Sequence, residues 1–438
     1  MTAVAGGAST ISKYPGALPA NFPRLDPTRA SGGRIHGTEG REYVDWISGL
    51  GPNLLGYGHL AVEEAVRRIK APSLSLVSDL EERVADRVRH LAGFPDGLVR
   101  FFTTGSEGCS AAIRIARAVT GRDLVLSSSF HGWHSDVLAA SPAWGVPDAL
   151  RRLTLPFPFN RLDVAENACF GLDRDGATDD PDIHGDVVAA VIVQPAFDEP
   201  VPGFLQGLRA LCDRFGILLV FDETITLLRY PEFSAAQHYG VQPDLLVGGK
   251  GLANGRPISA VVGGTEVMRC FELGWTPRVT NGTWGNEWHG PLYCSGTWAA
   301  CADSLAAAEA VLDVWDAHPG AVARTIGDTG RRLRSALNTR GAEALGVRVC
   351  GPDHRLTIDA GDNWALRMFL LQELCRSGVL VSSFLMPCAA HTLADVGQTA
   401  VAWREATGAA AVLLEEHGAI PSEAIGGRVC GPLYRQGG

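Results

Sequence analysis

Three short apolar runs, each followed at once by residues able to do chemistry, constrain this chain more than anything else in it. They occupy 187–193, 217–221 and 245–247. An unbroken apolar run of this kind suits a strand buried on both faces. Between the first two lies 205–215, with Leu205, Leu208, Leu211 and Phe215 at helical spacing. Strand, helix, strand in this rhythm predicts an α/β chain with a mostly parallel sheet and helices on both faces. The pattern extends upstream. Residues 99–102 and 124–126 read as strands. Residues 107–120 read as a helix, with Ile113, Ala116 and Val119 inward and Gly121 ending it. Ser78-Asp79-Leu80-Glu81 is a capping box opening a helix whose apolar face is Leu80, Val84, Val88 and Leu91. From about residue 303 the pattern turns to an Ala/Leu-rich helix, a strand at 356–359 and helices at 364–377 and 393–405. The expected division is a large domain over 61–302 and a smaller α+β domain over 303–438. The 1–60 segment, strand-like at 42–47, is expected to pack with the small domain and with a dimer partner.

Composition removes several functional classes. The 438 residues are 46 % apolar and 20 % charged, which is globular. The net charge is −10 and no Lys/Arg run offers a footprint for nucleic acid. No stretch approaches the roughly eighteen unbroken apolar residues of a membrane span. Met1 to Ser12 lacks the basic and apolar regions of a signal peptide, so a cytoplasmic protein is expected. The ten cysteines form no CxxC pair and read as reduced and mostly buried. His131 and His134 form an HxxH without further ligands, so no metal is expected.

The basic residues are lopsided: Lys13, Lys70 and Lys250 are the three lysines among 38 Lys+Arg. Arg stays protonated, whereas Lys can lose its proton and attack a carbonyl. Lys250 follows the third apolar run inside Gly248-Gly249-Lys250-Gly251. Crowding there favours Schiff-base chemistry; a lysine snorkelling from a glycine loop is the plainer reading. Asp222 ends the second run, where open α/β sheets bind ligands, although a strand-end Asp also caps turns. Thr104-Gly105-Ser106-Glu107-Gly108 lies between a strand and a helix, where free N–H groups meet anions; many ordinary βα turns look the same. Together the three describe a pyridoxal phosphate site. Lys250 would form the Schiff base, Asp222 would pair with the pyridinium nitrogen, and the helix start would hold the phosphate.

The chain resembles the fold-type I, class III pyridoxal phosphate aminotransferases, in the branch of glutamate-1-semialdehyde aminomutase. The resemblance runs from Lys13-Tyr14-Pro15-Gly16 and Gly51-Pro52 through Thr104–Gly108, Phe130-His131-Gly132-Trp133-His134 and Asp222-Glu223-Thr224. It continues to Gly249-Lys250-Gly251, Ser295-Gly296-Thr297 and Ala390-His391. It implies a large sheet domain that binds pyridoxal phosphate. Lys250 would be the imine lysine and proton shuttle, and Asp222 the pyridine partner. Gly105 and Ser106 would give phosphate N–H contacts. Phe130 would stack on one ring face and Thr224 would lie under the other. Thr297 would reach the phosphate of a neighbouring subunit, which implies a homodimer.

Departures from the family bear on substrate. Gln194 stands where a Glu commonly precedes the Pro, and that Glu gates carboxylates in several members. Leu50 replaces an aromatic of the aminomutases, and Leu227-Leu228-Arg229 stands where Gly-Phe-Arg is common. Trp275, Trp284, Trp288 and Trp298 cluster in sequence; their faces suit sugar or cyclitol rings, or else fill a core or a dimer interface. Trp133, His134, Gln194 and Trp288 are therefore the candidate substrate residues. The expected activity moves an amino group from a donor amino acid to a carbonyl such as an oxo-sugar or aminoglycoside-type intermediate. The alternatives are an epimerase, eliminase, decarboxylase or aminomutase using the same cofactor, or a relative that binds without catalysis.

Overall fold

The computed structural model describes residues 3–14, 17–138, 144–171, 185–276, 291–382 and 384–426. The chain divides into two compact units, Met1–Leu60 with Val322–Arg435, and Ala61–Ala321.

The larger unit is organised by a seven-stranded sheet. Its strands are β1 (Leu98–Phe102), β2 (Leu124–Ser128), β3 (Thr154–Pro156), β4 (Val188–Val193), β5 (Leu218–Glu223), β6 (Leu245–Gly249) and β7 (Ser259–Gly263), in spatial order β1-β7-β6-β5-β4-β2-β3. The run from β6 to β3 is parallel, and β7 alone is reversed against both neighbours. All six residues of β4 are buried, as an unbroken apolar strand covered on both faces should be. Four of its helices bear on the site and its support: α1 (Asp79–Leu91), α2 (Gly105–Thr120), α3 (Phe204–Phe215) and α4 (Ala302–Ala317). Ile113 and Ile115 of α2 pack with Val125, Ile192, Val220, Val247 and Val261 of the sheet. Strands β1, β2, β4, β5 and β6 all point the same way, with reversed β7 between β1 and β6, so their C-terminal ends share one rim.

Helix α4 belongs to this larger unit. Arg87 of α1 reaches Asp313 and Asp316, each at 2.8 Å, and Arg83 reaches Glu309 at 2.8 Å. The sequence division at 303 is thereby corrected to 321: a change in composition at α4 is not a change in packing partner.

The smaller unit has a four-stranded sheet of Leu25–Ser31, Arg34–Gly37, Glu42–Asp45 and Val379–Leu380. Val379–Leu380 joins it in parallel beside Glu42–Asp45. Its core gathers Trp46, Leu370, Leu374 and Trp403. Both indoles are satisfied, Trp46 donating to Thr399 Oγ1 and Trp403 to the Leu337 carbonyl. Helix Leu393–His417 runs past the expected end at 405, because nothing breaks it before Gly418 at φ 72°. Among the described residues, no helix is long and apolar enough to cross a membrane.

Candidate active site

The rim of the large sheet collects the predicted chemistry. After β1 the chain enters α2 with Thr104 as N-cap, two residues before the expected start at Glu107. Thr104 Oγ1 accepts from Glu107 N at 3.2 Å, and Glu107 Oε2 accepts from Thr103 N and Thr104 N, each at 2.8 Å. This is the same Ser/Thr-x-x-Glu signature as at Ser78, so the signal was present in the sequence. The first-turn N–H groups of Gly105 and Ser106 then have no intrahelical partner and bear the positive end of the helix dipole. A side chain at Gly105 would come within 2.9 Å of Thr224 Cγ2, so α2 starts directly against the end of β5.

Asp222 is buried near the end of β5. Its Oδ2 accepts from His131 Nδ1 at 2.9 Å; its Oδ1 accepts from Thr224 N at 3.1 Å and from the Thr224 hydroxyl. Burial would raise this carboxyl. The His131 hydrogen bond and charge, the Thr224 hydroxyl and the Lys250 charge outweigh it and hold Asp222 below the ordinary carboxylate value. His131 Nε2 meets the Ser128 carbonyl at 2.8 Å. Both ring nitrogens thus face acceptors, and the ring fills both bonds only when it carries both protons.

Lys250 opens the turn after β6 at φ 42°, a left-handed conformation costly to a residue with a Cβ. Its charge is felt at Asp222 and at Cys109. Phe130 follows β2 and is partly exposed; Gln194, at the end of β4, donates its amide to the Phe130 carbonyl. Gln194, expected at the substrate, is buried and spends its side chain on that loop. A glutamate cannot donate this bond, which gives the departure from the family pattern a local reason. Trp133 is 71 % exposed and meets His134 edge to face. His134 Nδ1 bonds Ser110 Oγ at 2.9 Å, and Ser110 donates to Asp136. His131 and His134 therefore serve different partners. Thr297 is exposed. Trp284 and Trp288 lie outside the described residues.

Two buried groups beside Asp222 escaped the sequence reading. Cys109, Asp222 and His131 have donor atoms all within 4.8 Å of one another, a set able to hold a metal. Zinc ligands at about 2.0–2.2 Å would stand roughly 3.3 Å apart, whereas the His131–Asp222 separation is that of a hydrogen bond. The second is Glu223, which accepts from Ala235 N at 2.7 Å, Ala236 N at 2.8 Å and Thr226 Oγ1 at 2.8 Å. Burial outweighs these bonds and pushes its carboxyl up to about 7. The folded value stands above the unfolded one, so this contribution to stability is full below about 4.5 and is lost as pH rises through about 7. Glu223→Gln should flatten that fall. Denaturant unfolding at several pH values between 4.5 and 8 checks it, and an unchanged slope in the variant would assign the pH dependence elsewhere.

The donor set suits pyridoxal phosphate: open N–H groups at a helix start for a phosphate, an ionised Asp for a protonated ring nitrogen, and a lysine on the same rim. Comparison with known proteins agrees. Residues 18–384 match the model of the aminotransferase class-III family. Glutamate-1-semialdehyde 2,1-aminomutase of Hyperthermus butylicus is 30 % identical over 415 residues, covering 86 % of this chain and 90 % of that protein. The enzyme of that name from Syntrophobacter fumaroxidans is 35 % identical over 259 residues, 55 % of this chain and 57 % of its own length. The FumI protein of Sphingopyxis sp. MTA144, solved in its PLP internal aldimine form, superposes with a TM-score of 0.78 at 24 % identity, over 96 % of this chain and 95 % of that one.

Proposed function

The chain belongs to the class-III aminotransferases, and from that membership we propose that it moves an amino group from a donor amino acid to a small carbonyl acceptor. The supporting observation is the convergence of Lys250, Asp222 and the open N-terminus of α2 on one sheet rim. Pyridoxal phosphate, when bound, supplies an aldehyde for imine formation and a ring that takes up the electron pair released at the substrate carbon. Gly105 and Ser106 bind the phosphate through backbone N–H groups. Asp222, fixed by His131 and Thr224, keeps a proton on the ring nitrogen. Phe130 and Thr224 confine the ring from its two faces. Lys250 Nζ anchors the cofactor and carries the proton to and from the substrate carbon.

The acceptor in this reading is a polar ring carbonyl such as an oxo-sugar. Trp133 and Trp298, 71 % and 60 % exposed, offer indole faces for such a ring. Thr297, beside Trp298, reaches the phosphate of the second subunit of a homodimer. The names of the relatives favour a second reading, an aminomutase that returns the amino group to the same molecule. A donor screen separates the two. With glutamate or another donor, transamination releases a keto acid and leaves the cofactor as its amine form. Turnover of an amino-aldehyde with no keto acid released would overturn transamination in favour of the mutase.

A further inference from the structure

We infer that Cys109 is a positioning residue for Asp222, its thiol donating a hydrogen bond that helps fix the carboxylate toward the cofactor ring. Cys109 lies one turn into α2 and is 1 % exposed. Its Sγ lies within 4.8 Å of an Asp222 carboxylate oxygen and of a His131 ring nitrogen. Gly108 makes the approach feasible. A side chain there would meet Ser259 Oγ at 2.4 Å and Val247 Cγ1 at 2.8 Å, so α2 sits close on the sheet and brings Cys109 down to the end of β5. The thiol is a donor and not a nucleophile in this place. Burial, and then the Asp222 charge, push it far above the usual thiol range, so it stays S–H. Asp222 is thereby held from three sides: by His131 after β2, by Thr224 on its own segment, and by Cys109 on the phosphate-facing helix. The carboxylate and the helix start become one rigid unit, tying the two ends of the cofactor to each other.

This inference rests on the pyridoxal phosphate reading above, and its test has a part that does not. In cofactor-free protein, the infrared S–H band of Cys109 is isolated as the difference between wild type and Cys109→Ser. Asp222→Asn should shift that band to higher frequency, as a charged acceptor is replaced by a weaker neutral one. An unmoved band overturns the hydrogen bond whatever the protein binds. Pyridoxal phosphate titration of the cofactor-free Cys109→Ser, Cys109→Ala and Cys109→Val variants supplies the second readout and leaves Asp222 intact. Serine keeps a donor and should bind within about threefold of wild type. Alanine and valine should both weaken binding about three- to tenfold. Valine restores the packed volume without the donor. Wild-type affinity in valine with loss in alanine would make the role packing alone and overturn the inference. If wild type itself fails to bind pyridoxal phosphate, the functional reading falls while the infrared result still decides the bond.

Discussion

Lys250→Ala should lose at least about 10⁴-fold in turnover, because in the proposed reaction one side chain supplies both the imine nitrogen and the proton transfer, each a large catalytic effect. The variant should also lose the absorbance of the lysine-bound cofactor while still binding it through Asp222 and α2. Borohydride reduction gives the sharper check. It should fix the cofactor on the peptide holding Lys250 and leave Lys13 and Lys70, the other two lysines, unlabelled. Label on either of those, or undiminished turnover in the alanine variant, would sink the assignment. The small number of lysines makes the peptide map unambiguous.

Asp222→Asn should cost about 100- to 1,000-fold in turnover, the scale of removing one preorganised charge from a buried reacting centre. The amide keeps the shape and still accepts from Thr224, but it places an N–H or a neutral oxygen against His131. Some loss of stability should follow, about 1–3 kcal/mol for the mismatched buried donor. Kinetics and thermal unfolding measured on the same preparation separate the two effects. A variant that is destabilised yet turns over normally would reduce Asp222 to a structural role. The pH dependence has its own sign. The Asp222 carboxyl lies below its ordinary value of 3.8 when folded, so its contribution is present above that value and fades as pH falls through the folded one. Asp222→Asn should remove that acid-side loss.

Much of this site was legible in the sequence because its elements are local. Strand β4 is recognisable from 187–193 because burial on both faces leaves no polar position to interrupt it. Lys250 and Asp222 are recognisable because each ends such a strand. What stayed hidden depends on distance in sequence. His131 meets Asp222 across 91 residues, and nothing near either residue announces the pairing. Cys109 is one of ten scattered cysteines, and only the close seating of α2 through Gly108 shows which one faces the rim. Gln194 was legible as a departure but not as a donor, since its partner is a backbone carbonyl 64 residues away. The start of α2 is a different failure. Thr104 and Glu107 carry the capping signature, but the glycine and serine between them read as a turn. The division near 303 followed composition, while α4 follows the arginines of α1.

The reversed strand β7 has a consequence for how the molecule comes apart. Gly249 pairs with Ser259 across β6 and β7, so both ends of the turn carrying Lys250 are held in the interior of the sheet, with β5 on one side and β1 on the other. Lys250 is therefore not carried on a fraying edge of the sheet. A local opening that frees Lys250 has to part the central strands, and core strands open at free energies approaching that of global unfolding. Loss of the placement of Lys250 is then expected to accompany loss of the fold.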